Sequence, residues 1–190
     1  MFAPRIEAHG GYLLRADSLA GVALQGLGRA ALTADGQSPE AASLLLSVDA
    51  SRRLVRLAYD GPHTYGPAGA EWYRQHHALA AALSLAQQGT VHAYAVDPDL
   101  FEAVRAYNGG TPVGGETLLY EELDLELEEL SEQEFEALRE RWPMGRLARL
   151  LGLSREELLR LAYAPGTLLP LEGPEVDVAS LLTPHTNFPD

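Results

Sequence analysis

The chain contains no cysteine and no lysine. Without thiols there is no disulfide, no thiolate metal site and no cysteine nucleophile, although compartment stays open because a thiol-free protein suits any redox environment. All fourteen basic residues are arginine. No apolar run approaches the roughly 20 residues that span a bilayer. The opening stretch, MFAPRIEAHGGYLL, has no basic region followed by an apolar core, so no secretory leader is expected and a cytoplasmic home is. Internal repeats and low-complexity runs are lacking as well. Sequence spacing supplies no G-x-S-x-G nucleophile turn, no HxxxH or HExxH metal pair and no Gly-Lys-Ser/Thr phosphate loop. These absences remove the strongest grounds for a hydrolase, a metalloenzyme or a nucleotide-binding enzyme.

What is abundant is acid. Twenty-seven carboxylates against fourteen arginines give a formal charge of −13. A field of that sign repels nucleic acid and anionic membranes and attracts cationic partners; it also keeps a protein soluble. Between Glu116 and Glu136 there are ten acidic residues and no basic one. Within that run, Leu123, Leu125 and Leu127 alternate with Glu122, Asp124 and Glu126, the pattern of a half-buried strand with carboxylates facing water. Glu121, Glu122, Asp124, Glu126, Glu128 and Glu129 are the candidate residues for binding a basic partner. The competing reading is an edge strand guarded by charge against aggregation.

At 190 residues the chain can bury a sizeable core. Residues 11–15 read as a first strand. A helix from Asp17 or Ser18 would align Leu19, Val22, Ala23, Gly26, Leu27 and Ala30, against the cost of three interior glycines; a looped path is the alternative. Strands follow at 43–48 and 54–59, then a loop over 60–69 and a long helix over 70–88. Residues 91–96 form a strand apolar on both faces. Asp97-Pro98 has the look of a helix start, and Leu100, Phe101, Val104 and Tyr107 recur at helical spacing. Asn108-Gly109-Gly110 would end that helix, and Gly114-Gly115 would turn a hairpin from 111–113 into a strand from Glu116. The fold class is therefore α+β: a mixed or antiparallel sheet with helices on one face, in the β-α-β-β-α-β order of the ferredoxin-like split βαβ. That core occupies residues 1–130. A small helical subdomain follows at 131–163, its helices opened by capping boxes at Ser131/Glu134 and Ser154/Glu157. A tail at 164–190, rich in proline and glycine, is expected to wrap the surface or stay partly disordered.

Within the subdomain, MGRLARLLGLSREELLRL, Met144 to Leu161, resembles the helix-turn-helix of bacterial DNA-binding proteins. Ala148 stands where that motif needs a small residue, Gly152 makes the turn, and Leu147, Leu151, Leu153, Leu158 and Leu161 occupy its buried positions. The resemblance implies that Ser154, Arg155, Leu159 and Arg160 face the groove, with Arg146 and Arg149 near the DNA backbone. Glu156 and Glu157 depart from it, since they stand where a polyanion would lie.

Three functions are therefore carried forward. The first is a non-enzymatic protein-binding module with an acidic face for a basic partner, of which an immunity protein or toxin inhibitor is one concrete form. The second is a transcriptional regulator contacting DNA through Arg146, Arg149, Arg155 and Arg160. The third is a hydrolase or metal enzyme around His63, Trp72, His76 and His92. On the first reading no cofactor, metal or membrane is involved.

Overall fold

Tyr12, Leu13 and Leu14 are consecutive and all buried. Since side chains alternate across a strand, such a run requires cover on both faces of the sheet. The computed structural model, which describes residues 6–61, 66–123 and 130–182, provides it. Strand β1 (His9–Arg15) is followed by a 3-10 turn (Ala16–Leu19), helix α1 (Leu24–Ala34) and the hairpin β2 (Ser43–Asp49) and β3 (Leu54–Asp60). Helices α2 (Gly66–Gln75) and α3 (Ala78–Ala86) lead into strands β4 (Val91–Asp97), β5 (Phe101–Asn108) and β6 (Thr111–Leu119). A 3-10 turn (Tyr120–Glu122), helices α4 (Glu132–Arg139), α5 (Pro143–Leu151) and α6 (Arg155–Arg160), a 3-10 turn (Leu161–Tyr163), strand β7 (Gly166–Pro170) and helix α7 (Val178–Leu182) complete the described chain.

The strands form a seven-stranded sheet in the order β6-β5-β4-β1-β3-β2-β7, every pair antiparallel. β3 lies between β1 and β2, and β1 lies between β3 and β4, so the two helical crossovers interleave as a split βαβ. The fold is α+β. The β4-β5-β6 meander widens the sheet on one side. On the other, Gly166–Pro170 pairs with β2, so part of the proline-rich tail is an edge strand. No helix among the described residues is long and apolar enough to cross a membrane.

The two faces carry separate cores. Tyr12 and Leu14 of β1, Val55, Leu57 and Tyr59 of β3, and Val91, Ala93 and Ala95 of β4 pack beneath α1, α2 and α3. The alternate residues Leu13, Leu54, Tyr94 and Val96 pack against Met144, Leu147, Ala148, Leu151, Leu158 and Leu159. The helix pair α5–α6 therefore covers the second face of the sheet.

The structure departs from the sequence reading at four places. The helix expected after Pro98 is strand β5. Asp97 does accept an N–H, that of Asp99 at 3.0 Å, but the result is a tight turn closed by Leu100 N–H on the Asp97 carbonyl. Phe101 and Ala103 then face one core and Glu102 and Val104 the other. Tyr107 returns to the first face by the same alternation, while the bulge beside it adds Val113 to β6; burial on both faces is what gives Phe101, Val104 and Tyr107 their helix-like spacing. The hairpin turn is Gly109-Gly110, with φ of 57° and 82°, the two-residue geometry that needs positive φ at both central positions; Gly114-Gly115 lie within β6. The helix expected over 70–88 is two helices. His76 Nδ1 and His77 Nε2 bond to the carbonyls of Trp72 and Tyr73 and so close off the last turn of α2. The first helix begins at Leu24, after the 3-10 turn.

Gly10 sets the approach of α2 to β1, because a β-carbon there would lie 2.5 Å from the Tyr73 side chain. Gly10→Ala is expected to lower the unfolding free energy by about 1–3 kcal/mol, the usual cost of overpacking. A urea titration with an unchanged midpoint would contradict this packing.

Candidate functional site

The register of β5 sends Glu102 into the second core. It sits opposite Val96, between Phe101 and Ala103, which face the other way, and it is fully buried. Its Oε2 accepts the backbone N–H of Met144 at 2.9 Å, in the first turn of α5. That N–H has no capping side chain from Trp142, so the sheet caps this helix from a distance. Oε1 accepts from Arg155 Nε at 3.1 Å and also from its Nη2. The Tyr120 hydroxyl donates to the same oxygen at 3.3 Å. Arg155 is 4% exposed. One carboxylate thus holds both helices of the pair, α5 by its first turn and α6 by its first residue.

Both expected capping boxes form: Ser131 with Glu134 opens α4, and Ser154 with Glu157 opens α6. The arginines expected at DNA are engaged within the chain. Arg155 is in the core with Glu102. Arg146 Nε donates to the Arg141 carbonyl at 2.7 Å, and its Nη1 lies 3.1 Å from Glu116. Arg149 donates to the Glu140 carbonyl at 2.9 Å, and Arg160 pairs with Glu156 at 2.5 Å. Arg146 and Arg149 thus satisfy carbonyls at the end of α4. The residues that resembled a helix-turn-helix do form two helices around Gly152, which has φ of 79°. Their apolar stripe is spent on the sheet.

Of the acidic candidates, Glu121 and Glu122 are exposed on the 3-10 turn after β6. Asp124, Glu126, Glu128 and Glu129 lie outside the described residues, as do Leu125 and Leu127 of the strand expected there; β6 itself ends at Leu119. The described part of the acidic run instead points to a groove of about 520 Å³ between α4 and α6. Glu132, Glu136 and Glu140 recur every four residues along one side of α4 and line it, with Glu156 across from them. Tyr163, about half exposed, gives the groove an aromatic wall. Three guanidiniums line the groove and each is already paired, Arg139 with Glu136 at 2.8 Å, Arg160 with Glu156 and Arg155 with Glu102. Glu132 and Glu140 have no such cation among the described residues. Glu140 and Glu156 were not among the residues chosen from sequence. Their convergence depends on how α6 returns beside α4, which spacing along the chain does not reveal.

The histidines are separated by the sheet. His76 stacks on Trp72 at 4.8 Å, beside the buried cluster of Tyr12, Tyr59 and Tyr73. His92 is on the opposite face, and His63 lies outside the described residues. Burial holds His77 and His92 below the usual imidazole range, with Arg105 adding to the effect at His77. Among the described residues no three His, Asp or Glu side chains are grouped to hold a metal ion.

No family model, curated protein or solved structure gives a significant match to this chain.

The Glu102–Arg155 pair makes a direct prediction. Arg155→Met leaves a buried carboxylate without its cation and should cost about 3–5 kcal/mol by urea denaturation. Glu102→Leu with Arg155→Met removes both charges and should recover much of that loss. Strictly additive losses would mean that the two groups act separately.

Proposed function

We propose that this chain is a protein-binding module with no catalytic role, which takes a basic partner on its acidic face. A toxin inhibitor or immunity protein is the concrete form we favour. The observation that carries this reading is the groove between α4 and α6, where Glu132, Glu136, Glu140 and Glu156 converge from two elements. The exposed Glu121 and Glu122 extend the same charge beyond it. Such a field speeds the encounter with a cationic surface and disfavours wrong partners. Tyr163 adds an exposed aromatic side chain of the kind enriched at binding hot spots.

The regulator reading has less support. Arg146, Arg149, Arg155 and Arg160 would have to leave carbonyls and carboxylates of their own chain to reach DNA. The deciding experiment is affinity capture by the tagged chain from its own lysate, at low salt and after nuclease digestion. One basic protein is expected in near-equal amount, released by salt. Glu132→Gln, Glu136→Gln, Glu140→Gln and Glu156→Gln together should lower its retention at least about tenfold. Neutralising Glu122, Asp124, Glu126 and Glu129 together should weaken it as well. Retention of DNA alone, lost on digestion, would transfer the function to the helix pair.

A further inference from the structure

Two arginines are buried among the described residues, Arg155 and Arg56. Arg155 has its carboxylate; Arg56, on β3 and 4% exposed, has none within ion-pair distance among the described residues. Its Nε donates to the Tyr94 hydroxyl at 2.6 Å and its Nη2 to the Gly10 carbonyl at 2.7 Å. Its Nη1 is buried with no hydrogen-bond partner. A buried charge lacking both a counter-charge and part of its hydrogen bonding is a costly arrangement in any core.

His9 brings a second unpartnered atom to the same tyrosine, Tyr94. Its Nδ1–H donates to the Glu7 carbonyl at 2.7 Å, so in the neutral ring Nε2 is a bare acceptor. Nε2 is also buried without a partner. The ring packs edge-on against Tyr94 at 5.7 Å and Tyr163 at 5.9 Å, and the Arg56 guanidinium lies 5.9 Å from the Tyr94 ring centre. Gly11, opposite Tyr94 in the ladder, lets Arg56 lie close over the strand: a β-carbon there would come 2.7 Å from the Leu57 carbonyl and 3.3 Å from Arg56 Nε. Tyr163, which packs on His9, also lines the acidic groove and is about half exposed.

We propose that Arg56, Tyr94 and His9 form a binding site for a small oxyanion, a carboxylate or phosphate group, admitted past Tyr163. The anion accepts from Arg56 Nη1 and from the Tyr94 hydroxyl proton, and supplies the counter-charge that the guanidinium lacks. His9 gains a proton at Nε2 when the anion binds and becomes a third donor. Among the described residues the charged and titratable side chains against His9 are Arg56 from β3, Tyr94 from β4 and Tyr163 from beyond α6; no carboxylate is among them. Burial, with Arg56 adding to it, depresses the His9 pKa to about 4 against the bond to Glu7. His9 is therefore neutral before an anion binds, and binding carries proton uptake.

The test is calorimetric titration of the full chain with acetate and, separately, inorganic phosphate, between about pH 5.5 and 7.5 in buffers of different ionisation heat. One saturable site with net proton uptake is expected, and the ion that binds names the ligand class. Arg56→Met should weaken binding about ten- to hundredfold, the worth of a charged hydrogen bond. His9→Gln should abolish the proton uptake while circular dichroism stays unchanged; it decides alone if Arg56→Met does not fold. Absence of saturable heat with either ion, or binding and proton uptake unaffected by His9→Gln, would overturn the proposal.

Discussion

The second face of the sheet depends on one carboxylate. Glu102 is fully buried, and burial of an unpaired charge there would be prohibitive. Its bonds to Met144 N–H, Arg155 and Tyr120 draw together β5, α5, α6 and the turn after β6. Apolar contact supplies most of the attraction: each Leu or Met buried here contributes about 1.5–3 kcal/mol. That attraction has little direction. The ion pair fixes which turn of each helix meets which strand. A second pair, Arg52 with Glu157 at 2.6 Å, is partly exposed and adds little by comparison.

The docking of the helix pair also shapes the charge that the molecule displays. Among the described residues at least seven arginines are in ion pairs: Arg52, Arg53, Arg74, Arg139, Arg146, Arg155 and Arg160. Arg74, Arg139 and Arg160 pair within their own helices and the others between segments, whereas Glu121, Glu122, Glu132 and Glu140 remain outside such pairs among the described residues. A surface of that kind favours cationic partners, and this is why we prefer a protein partner to DNA. Of the two buried arginines Arg56 is the one without such a pair, a cation held inside with an unfilled bonding position.

The sequence was legible where a local signal and the fold agree. The strand at 91–96, the hairpin of β2 and β3, the interleaved element order and both capping boxes follow from alternation, turn residues and Ser-x-x-Glu spacing. It misled where long-range pairing outweighs a local pattern. Phe101, Val104 and Tyr107 are spaced as in a helix, yet pairing with β4 and β6 makes them a strand buried on both faces. Leucines at helix-turn-helix spacing record only that one side of each helix is buried, and a sheet can bury them as well as a third helix can. The buried Glu102 had a faint signal, an acid between Phe101 and Ala103 in a run apolar on both sides. The carboxylates of the groove had none, because α4 and α6 meet only in three dimensions.

The central claim is that α5 and α6 belong to the same cooperative unit as the sheet. Native-state hydrogen exchange tests it residue by residue. Amides of Leu147, Ala148 and Leu151 should exchange with opening free energies close to those of Leu13 and Tyr94 at the centre of the sheet. Exchange of the helix amides through a much cheaper opening, with the strands still protected, would contradict the account and make the pair a detachable unit free to seek another surface.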